Sequence, residues 1–149
     1  MSFFDTLNVS ASALTAQRVR MDILSENMAN AETTRTESGG PYKKKMVLFD
    51  ERVDSGISFE SALWKAQGNA PYGKGVRVSQ IIQDETLGPL IYEPSHPDAD
   101  EAGYVRKPNI NIVEEMVNMI SASRSYEANV TAMNITKGMI SRTLEIGRQ

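Results

Sequence analysis

All six prolines and eight of the ten glycines lie between Gly39 and Pro108. Neither residue occurs from Phe3 to Ala29, and Gly138 is the sole break from Ile110 to Ile146. In a helix interior Pro costs about 3 kcal/mol and Gly about 1 kcal/mol relative to Ala. Long helices are therefore confined to the two ends, and the middle must turn often. The expected class is α+β: long terminal helices packed as a coiled-coil-like pair, with a small β-rich module between them. The boundaries read as 1–31, 32–109 and 110–149, with an insertion near 54–70 around Phe59, Leu63 and Trp64.

The first segment carries Leu7, Leu14, Met21 and Met28 at seven-residue spacing, flanked by Ala11, Ala16, Val19, Ile23 and Leu24. That is the apolar stripe of an amphipathic helix. Ser2 or Asp5 suits its N-cap. The last segment is more regular. Ile112, Met119, Tyr126, Met133 and Ile140 are spaced by seven, with Met116, Val130 and Leu144 interleaved and Ser123 and Lys137 as breaks. Asn111 and Glu114 have the spacing of a capping pair, and Pro108 precedes them.

This C-terminal stripe is laced with polar residues. Residues 110–149 hold 11 Ser, Thr or Asn, each costing about 0.5 kcal/mol as a helix former. Such a helix persists only when its stripe is buried. Two coverings are open: the N-terminal helix of the same chain, or other subunits.

The middle reads as short strands over 44–49, 75–82, 90–92 and 104–106. His96 to Gly103 is its most site-like run. Asp98, Asp100 and Gly103 match three positions of a calcium loop, but the closing carboxylate is replaced by Asn109. A solvated acidic turn is the expectation, and no metal or other cofactor is expected. The Lys43-Lys44-Lys45 run reads as a solvated strand edge. The Gly73-Lys74-Gly75 pattern lacks its third glycine, which removes phosphate cradling.

Composition narrows the functions further. Sixteen basic and 19 acidic residues leave a net charge of −3, which speaks against nucleic-acid binding. Cysteine is absent and His96 is the only histidine, so nucleophilic and multi-histidine metal sites lack their residues. With no Gly-x-Ser-x-Gly elbow either, catalysis is not expected. The first basic residue is Arg18, after Asp5, so a cleaved secretory signal is not expected, and no run approaches a membrane span. Three Asn-x-Ser/Thr sequons, at Asn8, Asn129 and Asn134, fall on predicted helices and read as chance. What remains is assembly through the terminal helices, with a free-standing adaptor whose helices pair internally as the alternative.

The run Ser25-Glu26-Asn27-Met28-Ala29-Asn30-Ala31-Glu32-Thr33-Thr34-Arg35 resembles the signature after the first helix of bacterial flagellar rod and hook proteins. Gly40-Pro41-Tyr42, His96-Pro97-Asp98-Ala99-Asp100, Gly103-Tyr104-Val105 and the stretch Asn109–Val117 resemble the proximal-rod members of that family, and the likeness spans the whole chain. The resemblance implies a non-enzymatic rod subunit in the periplasmic part of the basal body. It implies export without a cleaved signal, unfolded, through the flagellar type III apparatus, for which a cysteine-free chain is well suited. Copies of itself, other proximal-rod proteins and the rod-to-membrane-ring adaptor are the implied partners, without membrane insertion. The implied seam is Leu7, Leu14, Met21, Met28, Ile112, Met116, Met119, Tyr126, Val130, Met133, Ile140 and Leu144. Asn27, Asn30, Thr33 and Thr34 are implied to form the turn leaving the first helix.

Overall fold

The structure is a computed structural model that describes residues 3–37, 39–52, 63 and 74–147. The insertion expected near 54–70 lies, apart from Leu63, outside the described residues. Six elements follow in order: α1 (Phe3–Ala29), β1 (Lys45–Glu51), β2 (Val76–Gln83), β3 (Leu90–Tyr92), β4 (Tyr104–Arg106) and α2 (Ile112–Ile146). The class is α+β, as the breaker distribution requires.

α2 starts where the sequence places it. The Asn111 side chain accepts from the amides of Val113 and Glu114, and Glu114 and Glu115 lie in the first turn, where the helix dipole favours acids. At about 1.5 Å per residue its 35 residues span roughly 52 Å. α1 packs along it, and Asn27 near the end of α1 meets Glu115 in the first turn of α2, so the pair is antiparallel.

The contact between the helices is thin. Ala16, Leu24 and Ala31 are buried on or just after α1, and Ala122 on α2. Met119, Tyr126, Val130, Met133 and Ile140 turn the same way as Ala122 and are half-buried, as are Leu7, Leu14, Met21 and Met28. Ile112, Met116 and Leu144 stay exposed. The opposite side of α2 carries a second apolar row at three- and four-residue steps. There Val113 is 69% exposed, Val117 61% and Ile120 55%, with Ile135 and Met139 further along.

β1 and β2 form an antiparallel pair with an irregularity between Leu48 and Phe49. Its inner side chains Val47, Phe49 and Val78 are half-buried, while Met46 and Leu48 face out, the period-2 pattern of a one-sided sheet. The pair lies against α1 at its far end too. The Val76 amide donates to Ser12 Oγ (3.1 Å), and a Cβ on Gly75 would lie 2.1 Å from that oxygen. β3 and β4 make a separate antiparallel pair, with Tyr92 and Tyr104 packed edge to face at 5.2 Å and Val105 buried beneath.

Gly88 ties this second pair to the approach to α2. A Cβ there would lie 1.9 Å from the Lys107 carbonyl oxygen and 2.7 Å from the Pro108 carbonyl carbon. Backbone cannot yield as a flexible side chain does. Gly88→Ala is expected to lower unfolding free energy by about 2 kcal/mol, read from the urea midpoint of the purified chain. An unchanged midpoint would contradict the close approach.

Candidate functional site

The centre of the molecule is polar. Asn27 and Glu115 are both fully buried, on facing helices, and the Asn27 amide donates to Glu115 Oε2 at 3.0 Å. The same carboxamide treats Lys45 as a neighbouring strand would. Its Nδ2 donates to the Lys45 carbonyl (2.8 Å), and its Oδ1 accepts from the Lys45 amide (2.9 Å) and from the Tyr42 hydroxyl (3.2 Å). One side chain thus joins α1, α2 and the start of β1.

Charge follows the same geometry. Lys44 Nζ lies 2.8 Å from Glu115 Oε1, and Lys45 Nζ pairs with Glu26 while sitting 5.8 Å from the Tyr42 ring centroid. Only 17% of the Lys44 side chain is exposed. The expectation of a solvated lysine edge is therefore corrected: Lys44 and Lys45 are counter-ions to carboxylates at the helix pair, and Lys43 alone reaches outward, to Glu85. A buried carboxylate needs such compensation, because an uncompensated one costs several kcal/mol. Burial pushes the Lys44 ammonium down, but the carboxylates of Glu115, then Glu114 and Asp84, together outweigh it and its pKa ends raised. Burial, followed by the Glu26 and Glu115 carboxylates, pushes Tyr42 from 10.0 up to about 12.

The residues after α1 continue this framework. Asn30 Nδ2 donates to the Glu26 carbonyl (2.9 Å), and Thr33 Oγ1 donates to Asn30 Oδ1 (3.2 Å). Thr34 Oγ1 donates to Asp98 Oδ2 (2.7 Å), and Arg35 approaches the other Asp98 oxygen (3.7 Å). The acidic run thereby acquires structural partners. The Asp98 amide donates to His96 Nδ1, and Asp100 Oδ1 accepts from the amides of Ala102 and Tyr104. Each aspartate shapes or anchors the β3–β4 turn. Lys107 completes the frame by bridging Glu32 (3.0 Å) and Glu93 (3.5 Å).

The structure therefore brings Asn27 together with residues that periodicity did not single out: Tyr42, Lys44, Lys45 and Glu115. One signal for Glu115 was available. It stands seven residues before Ala122 and four before Met119, in phase with the stripe rather than opposite it. Beside this centre, α1, β1 and the first turn of α2 enclose a groove of about 380 Å³ over Ile23, Leu24, Met46, Val47 and Phe49, with Arg20 at its edge.

Known proteins share this sequence pattern. Residues 7–35 match the family described as Flagella basal body rod protein, and residues 101–146 match Flagellar basal body rod FlgEFG protein C-terminal. The chain is 51% identical to the flagellar basal-body rod protein FlgC of Bacillus subtilis, over 99% of this chain and all of that one. It is 44% identical to that of Borreliella burgdorferi, over 98% of both chains. It is 38% identical to that of Escherichia coli O6:H1, over 99% of this chain and all of that one.

Two outcomes follow from the buried centre. Glu115→Ala strands Lys44 and the Asn27 amide, and is expected to cost about 3 kcal/mol by denaturant unfolding. Tyr42 and Lys44 both hold their protons more tightly when folded, so the stabilisation each provides is lost as pH rises; for Tyr42 it is present below about pH 10 and is lost as pH rises toward about 12. The denaturation midpoint should fall over that window, and less steeply in Tyr42→Phe. Equal slopes in the two proteins would remove Tyr42 from the coupling.

Proposed function

The chain belongs to the flagellar basal-body rod protein family and is a structural subunit of that rod, and we propose that it enters the rod by burying the outward row of α2 on neighbouring subunits. The observation that carries this is the row itself: Val113, Val117, Ile120, Ile135 and Met139 are each more than half exposed on one side of a regular helix. Covering what remains exposed of five such side chains contributes roughly 5 kcal/mol. An apolar row of this length marks an interaction surface.

The polar residues of α2 suit burial as well. Thr131, Thr136 and Thr143 donate their hydroxyl protons to the carbonyls four residues back at 2.9 Å, and the Asn129 amide does the same at 2.8 Å. A side chain already bonded within its own helix can be covered without leaving an unsatisfied donor. The seam then divides. Met119, Tyr126, Val130, Met133 and Ile140 join Leu7, Leu14, Met21 and Met28 in holding the helix pair, while Ile112, Met116 and Leu144 reach neighbours.

The partners in this reading are copies of the chain, other proximal-rod proteins and the adaptor that seats the rod on the membrane ring. The chain acts without catalysis, in the periplasmic part of the basal body. It arrives unfolded through the type III export apparatus without a cleaved signal. Few apolar residues are buried among the described residues, which supports that route, because little packing has to be undone before export. Among the described residues no helix is long and apolar enough to cross a membrane. Helices paired within one chain would also serve a free-standing adaptor, but that role leaves the outward row of α2 uncovered.

Ile120→Asp separates the two. The residue is exposed, so the purified variant should keep the helical circular dichroism of the parent while motility and incorporation into isolated basal bodies are lost. Normal rods built from Ile120→Asp would sink the packing role of this face.

A further inference from the structure

Resting on the rod-subunit reading, we propose that the outward face of α2 in one copy docks on the outward face of α1 in the next copy, antiparallel, with Arg124 against Asp22. Both faces are defined by exposure. On α1, Ala11, Thr15, Arg18, Asp22, Ser25 and Ala29 recur at three- and four-residue steps and are all exposed. On α2, Arg124 and Arg142 sit within the apolar row of Val113, Val117, Ile120 and Ile135. Asp22 and Arg124 enter none of the ion pairs among the described residues.

Charge selects both the occupant and the register. Within one copy Asn27 stands level with Glu115, so antiparallel counting puts Arg18 level with Arg124. Copies stacked without axial shift would oppose these two cations. A shift of four residues, about 6 Å at roughly 1.5 Å per residue, places Asp22 against Arg124 and Arg18 against Ala128. The same shift sets Val117 on Ala29 and Ile135 on Ala11, a large side chain facing a small one each time. It also brings Arg142 to the ring of Phe4, which is 73% exposed, in reach of a cation–π contact. A charge pair covered in such an interface fixes register more than it adds affinity.

The two faces are different surfaces, so the contact is heterologous. Repeated with an axial shift it does not close into a ring but advances along a helix. A second copy of this chain is thus the partner that the outward row of α2 fits, offset by about 6 Å along the helix.

The chain contains no cysteine, so introduced thiols report directly. Copies carrying Ala29→Cys and copies carrying Val117→Cys are produced together, and isolated basal bodies are mildly oxidised. A disulfide-linked dimer is expected from the mixture and from neither variant alone. A dimer from Ser25→Cys mixed with Val117→Cys instead, the unshifted register, overturns the proposal. So does the absence of any dimer in basal bodies that contain both variants. In a second experiment, Asp22→Arg and Arg124→Asp are each expected to lower incorporation at least tenfold, and the double exchange to restore it. Failure of restoration overturns the pairing. Absence of the unaltered chain from isolated rods would instead defeat the rod-subunit reading on which the pairing rests.

Discussion

A single carboxamide holds three elements in register. Asn27 donates to Glu115 across the helix pair and exchanges hydrogen bonds with both backbone groups of Lys45, so α1, α2 and β1 are positioned by the same buried group. Among the described residues, the buried apolar side chains of the helix pair are Leu24 and three alanines, Ala16, Ala31 and Ala122. The directional demands of hydrogen bonds substitute here for the shape demands of a large core. An amide of the wrong orientation leaves a buried donor unmet, which costs more than a methyl group out of place.

That choice has consequences for the helices. A core built of alanines and half-buried methionines leaves most of the circumference of α2 uncovered. The helix is nevertheless regular for 35 residues, and its three threonines and Asn129 bond to carbonyls of their own turns. That part of the polar composition, which looked like a weakness in the sequence, is internally satisfied. It keeps both sides of the helix open to packing, one side toward α1 and the other toward whatever covers the row from Val113 to Met139.

The acidic run and the lysine run show how local reading misassigns charged residues. Asp98 and Asp100 have the spacing of cation ligands, yet each carboxylate is occupied by backbone amides or by Thr34 and Arg35. Lys44 and Lys45 look like a solvated edge, yet their partners Glu115 and Glu26 lie 71 and 19 positions away in sequence. Such pairings are invisible to spacing rules, which describe neighbours along a helix or strand. Glu115 was partly legible, because it stands in phase with the apolar stripe.

By itself the sequence determined where the elements run. The distribution of Gly and Pro, the Asn111 cap and the seven-residue stripes place two long terminal helices and four short strands close to where they are found, and the motifs from Ser25 to Arg35 and Asn109 to Val117 carry the family. Tertiary structure decided which face of α2 is turned inward. The seven-residue spacing marked one apolar row and left its cover open, whereas the row on the opposite side emerges from exposure in the folded chain. The side that meets α1 is fixed at Glu115, buried beside Asn27 and Lys44. A charge can be buried in one orientation alone, the one in which its partners meet it, whereas an apolar row is accepted by any surface of matching shape.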